Sequence, residues 1–198
     1  MKRTWLYALT AAGLIAAGTA AFSLGRILSP RPEFYGTELQ NPPELGAIIL
    51  QNVNRGQVTL ADFEAPMLLV FFGYTRCPDV CPLTLARVAK VYRDLGEPEE
   101  VQLVMVTVDP ARDTPAVVQD YASSFHPDFL GLSGDQSEIA AAARTFFVGY
   151  QQAADNLFRH TDMIAVLDAR RLMRYVYGQD RIVRLAQDIP ALLAQRGF

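Results

Sequence analysis

The chain has 198 residues, of which 51% are apolar and 20% are charged, and its formal net charge is −3 at pH 7. This length suits one globular domain with an additional segment, and the composition is sufficient for a single hydrophobic core without stabilising cross-links. The slightly acidic balance, with no cluster of basic residues, excludes a typical nucleic-acid-binding protein, so we expect no nucleic acid among its partners.

The N-terminus predicts a membrane anchor. Lys2 and Arg3 precede an uncharged stretch, Thr4–Gly25, which is long enough to cross roughly 30 Å of hydrocarbon as a helix. A cleaved secretory signal is the alternative, because the stretch contains small residues near its end, but the apolar region of such a signal is usually only about 7–15 residues long. The two basic residues place the N-terminus in the cytoplasm. We therefore predict a single-pass protein of the cell inner membrane, with its C-terminal domain in the periplasm.

Three regions follow from the composition along the chain. Residues 1–27 are predicted to form the cytoplasmic tip and the membrane anchor. Residues 28–45 are rich in proline and turn-forming residues and are predicted to form a tether. Residues 46–198 are predicted to form the globular domain.

The domain is predicted to begin with a hairpin and to continue with alternating strands and helices. A turn around Asn54–Gly56 separates two short apolar runs, which is typical of a hairpin. The apolar runs at 67–73 and 101–108 predict strands that are buried on both faces. Asp113 or Thr114 is a suitable cap for the second helix. Helices are predicted over residues 83–96, 113–125, 135–147 and 180–195, a short strand over 128–134, and a late hairpin over 163–178.

This order of elements predicts an α/β fold. Strands that alternate with helices imply right-handed crossovers and parallel central strands, and the late hairpin adds an antiparallel edge. We expect a thioredoxin-like sandwich with an N-terminal hairpin and a helix insertion, preceded by a single transmembrane helix. A flavodoxin-like sheet is the structural alternative, and the late hairpin argues against it.

Both cysteines of the chain, Cys77 and Cys81, lie in the sequence CPDVCP, between the first buried strand and the helix that follows it. Backbone N–H groups at a helix N-terminus favour thiolates. A spacing of four residues in a helical turn brings two side chains to about 5–6 Å at Cβ, which suits two sulfurs on one metal ion and also permits a disulfide when the turn tightens. In an oxidising compartment, a structural disulfide, a redox pair and a metal site all stay open.

Two thiolates are too few for a closed metal site, so a third ligand is expected from one of the two histidines. His126 lies in a loop before a proline, where we predict a surface or capping role. His160 shortly precedes the late hairpin. In thioredoxin-type folds, the loop at this place packs against the two cysteines and carries a cis-proline, which the sequence RHTDM lacks. Two thiolates and one imidazole form a soft ligand set suited to Cu(I), and an added ligand would accommodate Cu(II).

The segments FFGYTRCPDVCPLTL, VTVDPARDTP, FHPDFLGLSG and HTDMIAVLDARR, in this order, resemble the Sco/SenC family. The resemblance covers about Phe63–Gly178, and the preceding anchor also matches. It implies a membrane-tethered, thioredoxin-fold copper protein that helps to assemble the binuclear copper centre of cytochrome c oxidase. It also implies that Cys77, Cys81 and His160 are the copper ligands.

Three further residues are expected around these ligands. Asp79 matches the acidic residue that the family has between its cysteines, where it would tune the charge of the site or a partner contact. Asp109 fits the family's VDP pattern, or serves only as a turn residue at the end of a strand. Tyr74 mostly packs in the core but lies near enough to shield the site. The family often has an acidic residue just before the histidine, where this chain has Arg159, so the local charge differs.

The resemblance implies a copper chaperone and not an enzyme. Its acceptor would be the copper-bearing subunit of cytochrome c oxidase, and its other partners would be the membrane, a periplasmic copper donor and a thiol reductant. The alternative is a thiol–disulfide oxidoreductase that reduces the acceptor cysteines, with Cys77 and Cys81 as its redox pair. The CxxxC spacing and the missing proline argue against a general reductase.

A metal-free disulfide that only stabilises the domain is the third interpretation. A bridge that closes so short a loop restrains little unfolded-state entropy, less than the roughly 3 kcal/mol expected for a loop of about 15 residues.

Overall fold

The structure is a computed structural model that describes residues 33–153, 157–195 and 197–198. Residues 34–198 belong to one compact unit. The predicted transmembrane helix lies outside the described residues. Within the described ranges, no helix is both long enough and apolar enough to cross a membrane.

The described residues form a mixed α/β domain. Its strands are β1 (Thr37–Glu38), β2 (Ile49–Asn52), β3 (Gly56–Thr59), β4 (Met67–Gly73), β5 (Val101–Thr107), β6 (Leu130–Leu132), β7 (Tyr150–Gln152), β8 (Phe158–His160), β9 (Met163–Leu167) and β10 (Met173–Gly178). Its helices are α1 (Val80–Asp94), α2 (Pro115–Ser123), α3 (Gln136–Thr145) and α4 (Leu185–Leu193), with 3₁₀ turns at Leu60–Asp62 and Ile182–Arg184.

A six-stranded sheet, in the order β1–β10–β9–β4–β5–β6, lies at the centre of the domain. β4, β5 and β6 run parallel, whereas β9, β10 and β1 continue the other side of β4 in antiparallel fashion. β2 and β3 form a separate hairpin at the N-terminal side. The parallel centre, the antiparallel edge and this hairpin agree with the thioredoxin-like α/β architecture expected from the sequence.

The central strands owe their position to continuous apolar sequence. Every residue of β4 is buried, and β5 is buried except for the half-exposed Gln102. This is the pattern of strands covered on both faces. Full burial of one such Leu, Val or Phe side chain contributes about 1.5–3 kcal/mol, so the end of β4 is a rigid base for the loop that follows it.

The end of the predicted tether packs against the domain. Thr37–Glu38 pairs with β10, and Leu45 is fully buried. The backbone N–H groups of Tyr35 and Gly36 donate to the buried carboxylate of Asp188, at 2.8 and 3.3 Å. Because residues 1–32 are not described, the division into anchor, tether and domain stays a prediction.

The prediction of a surface position for His126 was wrong, because this side chain is buried. It is only 5% exposed and packs against the rings of Tyr92 and Phe129, at centroid distances of 5.3 and 5.2 Å. Its Nδ1 accepts the backbone N–H of Asp128 at 3.3 Å, and its Nε2 lies 3.5 Å from a carboxylate oxygen of Glu97. His126 is therefore a core residue with both ring nitrogens partnered.

A second hairpin, formed by β7 and β8, was not expected from the sequence. Tyr150 pairs with His160 and Gln152 pairs with Phe158. Each strand has three residues, all exposed or half-buried. Segments this short show no readable alternation of apolar and polar residues.

Candidate metal centre

Cys77, Cys81 and His160 converge on one point of the domain. Their ligand atoms all lie within 4.8 Å of one another, and the Cys81 Sγ is 3.4 Å from the His160 Nε2. Both cysteines are free thiols. Two sulfurs and one imidazole nitrogen at this spacing can hold a soft metal ion.

The two cysteines reach the site from the loop after β4. The Cys77 N–H donates to the carbonyl of Tyr74 at 3.2 Å, which turns the chain at the end of the strand. Cys81 lies in the first turn of α1, and its backbone N–H donates to the Cys77 Sγ at 3.4 Å. The helix start therefore directs one of its unpaired N–H groups at a sulfur, as expected from the position of the pair.

Gly73, the last residue of β4, leaves the space that Cys81 occupies. A Cβ at this position would lie 3.1 Å from the Cys81 Sγ and 2.7 Å from the ring of Phe71. Only a residue without a side chain permits so close an approach of the sulfur to the strand. Gly73 therefore ends the strand and also shapes the metal centre.

The electrostatics of Cys81 differ from the simple expectation of a thiolate at a helix N-terminus. Cys81 is completely buried, whereas Cys77 is 8% exposed. Burial raises the pKa of the Cys81 thiol far above its usual value, and the hydrogen bond with Cys77 raises it further. Without a metal, Cys81 is therefore a neutral thiol, and a bound cation must displace its proton.

The β7–β8 hairpin brings His160 opposite the two thiols. The His160 Nδ1 lies 3.1 Å from the carbonyl oxygen of Thr161. A proton on Nδ1 donates to this carbonyl, which leaves the lone pair of Nε2 directed at Cys81. The rings of Phe71 and Tyr74 contact the imidazole edge-on, both at centroid distances of 6.1 Å, and hold its orientation.

Tyr74 does more than shield the site. Its hydroxyl donates to the carbonyl of Phe158 at 3.2 Å and accepts the N–H of the same residue at 3.1 Å. The side chain is 2% exposed, and burial raises the pKa of its hydroxyl. Tyr74 thus fixes β8, and with it His160, to the end of β4.

Replacing Tyr74 by phenylalanine should loosen the hairpin while the ring contacts remain. We expect a loss of about 1 kcal/mol in the free energy of unfolding, because the two backbone groups of Phe158 lose their partner. Cu(I) affinity should fall by a few-fold, as measured by competition with a chelator. The control is Tyr150→Phe in the same hairpin, whose hydroxyl accepts from the side chain of exposed Gln136 at 3.3 Å. Equal effects of both variants would contradict a positioning role for Tyr74.

Asp113 supports the site and was not predicted from the sequence. Asp113 is 1% exposed, and its carboxylate accepts three hydrogen bonds: from the Thr75 N–H at 2.9 Å, the Thr75 hydroxyl at 2.5 Å and the Thr107 hydroxyl at 2.6 Å. It ties the cysteine loop to the end of β5. One feature of the sequence pointed to Asp113: it stands next to Thr114, and both are candidate caps of α2. Thr114 is the N-cap and accepts the Val117 N–H, so the carboxylate of Asp113 serves another purpose.

Asp79, between the two cysteines, and Asp109, after β5, have different environments. Asp79 is exposed at the N-cap position of α1, and among the described residues its side chain makes no capping hydrogen bond. Asp109 is 3% exposed and pairs with Arg112 at 2.7 Å, while its carbonyl accepts the N–H of Asp113 at 2.9 Å. Its contacts are those of a turn residue that supports Asp113. Arg159 is exposed on β8, beside His160.

Comparisons of the sequence and of the fold with known proteins point to the same family. The SCO1/SenC family model matches residues 39–194. The mouse protein SCO2 homolog, mitochondrial, is 38% identical over 129 residues, which cover 61% of this chain and 51% of the mouse protein. The chain spans about half the length of the curated mammalian relatives that it matches.

Two solved structures have the same fold with substantial sequence identity. Apo Sco1 from Thermus thermophilus superposes with a TM-score of 0.72 at 41% identity, covering 81% of this chain and 97% of that protein. ScoI from Bradyrhizobium japonicum, which was solved with copper bound, gives a TM-score of 0.65 at 34% identity, covering 73% of this chain and 96% of that protein. With a family model that matches most of its length, the chain belongs to the SCO1/SenC family.

Proposed function

We propose that this protein binds copper through Cys77, Cys81 and His160 and delivers it to the binuclear copper site of cytochrome c oxidase. The supporting observation is the convergence of two thiols and one imidazole nitrogen within 4.8 Å. The donor set fits Cu(I), because soft sulfur ligands favour this ion over harder divalent metals. The B. japonicum relative, which was solved with copper bound, supports copper as the metal.

The burial of the site suits a carrier that must release its cargo. Cys81 is closed off from solvent by the core, whereas Cys77 is slightly exposed and His160 is half-buried. An acceptor thiol approaching from the exposed side loses its proton as it binds Cu(I), and Cys77 takes up a proton as it leaves. The copper keeps its oxidation state throughout this exchange, so no external oxidant or reductant is needed.

The predicted N-terminal anchor supports delivery at the membrane. The predicted anchor and tether, residues 1–27 and 28–45, would hold the domain at the periplasmic face of the inner membrane. The copper-bearing subunit of the oxidase would be reached there as a membrane-bound partner. A copper donor and a thiol reductant in the same compartment would keep the site loaded and the two cysteines reduced.

Thiol–disulfide exchange is the second candidate, since both cysteines are free and their sulfurs lie within 4.8 Å of each other. Exchange requires a thiolate as the attacking group. The raised pKa of Cys81 makes this residue a poor attacking group. The more exposed Cys77 would therefore begin the reaction. Exchange does not require the imidazole nitrogen that lies within 4.8 Å of both sulfurs, and this third donor favours metal binding over general reductase activity.

A transfer experiment separates the two candidates. The purified chain, reduced and loaded with one equivalent of Cu(I), is mixed with the reduced, metal-free copper domain of an oxidase subunit. We expect copper to move to the acceptor, measured by metal analysis after separation of the two proteins. In parallel, the metal-free chain is mixed with the acceptor in its disulfide form. Rapid reduction of that disulfide, together with retention of copper in the first mixture, would instead establish the reductase.

A further inference from the structure

Phe147 lies just beyond the end of α3, with its ring in solvent. The residue is 66% exposed, and its backbone has a φ of 59°, in the left-handed region. Its N–H donates to the carbonyl of Arg144 at 3.1 Å, and the Val148 N–H donates to that of Ala143 at 2.8 Å. These two bonds end the helix in a turn whose left-handed residue is usually glycine. A phenylalanine here therefore costs conformational energy, while most of its side chain gains no packing.

The exposed ring of Phe147 lies beside the metal centre. Two residues later, the Gly149 carbonyl accepts the Thr161 N–H at 2.8 Å, and the Gly149 N–H donates to the Thr161 hydroxyl at 3.1 Å. The next residue, Tyr150, is the cross-strand partner of His160. Because two residues of chain span at most roughly 7 Å, Phe147 stands next to the hairpin that carries the imidazole.

Two exposed arginines also stand beside the ligands. Arg76 directly precedes Cys77, and Arg159 directly precedes His160. In the part of the chain that the structure describes, neither guanidinium pairs with a carboxylate. Asp79 is exposed in the same loop as Arg76. The exposed charges within two residues of a ligand are thus two positive and one negative, in a chain whose formal net charge is −3.

An open cleft of about 450 Å³ runs along the hairpin at His160, and Gln151 and Arg159 also line it. Gln151 and Arg159 are cross-strand partners, so their side chains share one face of the hairpin. A guanidinium binds a carboxylate through two parallel hydrogen bonds, and a neighbouring amide adds a further donor. The cleft therefore fits a carboxylate side chain of a partner that approaches the imidazole.

We propose that Phe147, Arg76 and Arg159 form the docking surface for the copper acceptor, and that this acceptor presents carboxylates around its own metal-binding thiols. The inference rests on the proposed copper function and names the chemistry of the partner. Aromatic and arginine side chains contribute most to binding at protein interfaces. The arginines would steer the encounter with an acidic face, whereas burial of the Phe147 ring would hold the complex together.

Phe147→Gly separates docking from folding, because its two effects have opposite signs. Glycine adopts a positive φ without strain, so the variant should unfold at a higher urea concentration than the wild type. Docking is measured by anaerobic Cu(I) transfer from the full-length, detergent-solubilised chain to the reduced, metal-free copper domain of an oxidase subunit. The acceptor concentration that gives half the maximal transfer rate should rise roughly tenfold. Phe147→Tyr keeps the ring and should match the wild type. An unchanged half-maximal concentration in Phe147→Gly would overturn the role of the ring.

The double variant Arg76→Gln/Arg159→Gln tests the charges. Its second-order rate constant for transfer should fall about tenfold at about 10 mM salt and should equal that of the wild type at about 1 M salt, where charges are screened within about 3 Å. Arg93→Gln is the control, because Arg93 is exposed near the other end of α1, about 18 Å from Cys81 at about 1.5 Å per residue. It should keep the wild-type rate. Cu(I) affinity should stay within a few-fold in every variant, because the three ligands are unchanged. A loss of rate that persists at high salt would overturn the electrostatic part.

The outcomes distinguish this inference from the copper function. A wild-type chain that binds no Cu(I), or keeps its copper in the presence of the acceptor, would overturn copper delivery and the docking surface with it. A wild-type chain that transfers copper no faster than its variants would leave delivery intact and overturn only the docking surface. If the same substitutions instead turned a self-associating chain into a monomer in sedimentation, the surface would bind a second copy of the chain, and its assignment to the acceptor would be wrong.

Discussion

Replacing His160 by alanine is expected to weaken Cu(I) binding by more than about a hundredfold. Removing a residue that only hydrogen-bonds to a metal ligand already costs roughly 10–100-fold in metal affinity, and the loss of a ligand should cost more. The imidazole is the only nitrogen donor of the three-residue cluster in the described chain, and its Nε2 lies 3.4 Å from the Cys81 Sγ. Two thiols alone would hold the ion in an incomplete site.

The measurement is an anaerobic competition titration of the pre-reduced chain with Cu(I). The stability of His160→Ala should change little, because the side chain is half-buried at the end of a short hairpin. His126→Gln is the control: its contacts are with Glu97, Asp128 and the rings around it, and none of these is a ligand. It should retain Cu(I) affinity. If His160→Ala kept the affinity of the wild type, the three-ligand assignment would be wrong.

Replacing Asp113 by alanine is expected to lower the free energy of unfolding by about 2–4 kcal/mol, because two half-buried donors of Thr75 and the buried hydroxyl of Thr107 lose their acceptor. The carboxylate accepts from the backbone N–H and the hydroxyl of Thr75 and from the hydroxyl of Thr107. Thr75 lies two residues before Cys77. The same substitution should therefore loosen the cysteine loop, and Cu(I) affinity should fall by roughly tenfold, within the range seen for outer partners of metal ligands.

Urea unfolding and the Cu(I) titration are carried out on the same preparations of this variant. Asp120→Ala removes an exposed carboxylate from α2 and should change stability by less than about 0.5 kcal/mol. If Asp113→Ala lost as little stability as Asp120→Ala, the cysteine loop would be held by other contacts. If Asp113→Ala lost the expected stability but kept its Cu(I) affinity, Asp113 would support only the fold.

The central sheet could be predicted from the sequence because its pattern is continuous and long. The apolar run of β4 predicts a strand covered on both faces, and its residues are buried throughout. The order of strands and helices then determines the parallel centre, since crossover connections are right-handed. The β7–β8 hairpin was missed because each of its strands has only three residues and none of them is buried.

The candidate ligands could be predicted because so few residues of the right chemistry exist. With two cysteines and two histidines in the chain, spacing and position selected Cys77, Cys81 and His160, which the fold brings within 4.8 Å. The surroundings of the ligands could not be predicted in the same way. Asp113 is distant from the cysteines in sequence, and only the tertiary structure brings its carboxylate to Thr75 in the cysteine loop.

The electrostatic state of the thiols also required the structure. The position of Cys81 in a first helical turn favours a thiolate, but complete burial outweighs this effect and raises its pKa. Burial depends on the packing of α1 against Gly73 at the end of β4. No local pattern of residues reports on that packing.

The most direct test of the metal centre is the stoichiometry of Cu(I) binding by the wild-type chain before and after oxidation of its two cysteines. We expect one tight equivalent on the reduced chain, with X-ray absorption showing both sulfur and nitrogen bonded to copper, and no tight binding once the thiols are joined in a disulfide. Tight binding that survives oxidation, or a copper environment without sulfur, would contradict the account, because the ion would then lie elsewhere in the protein.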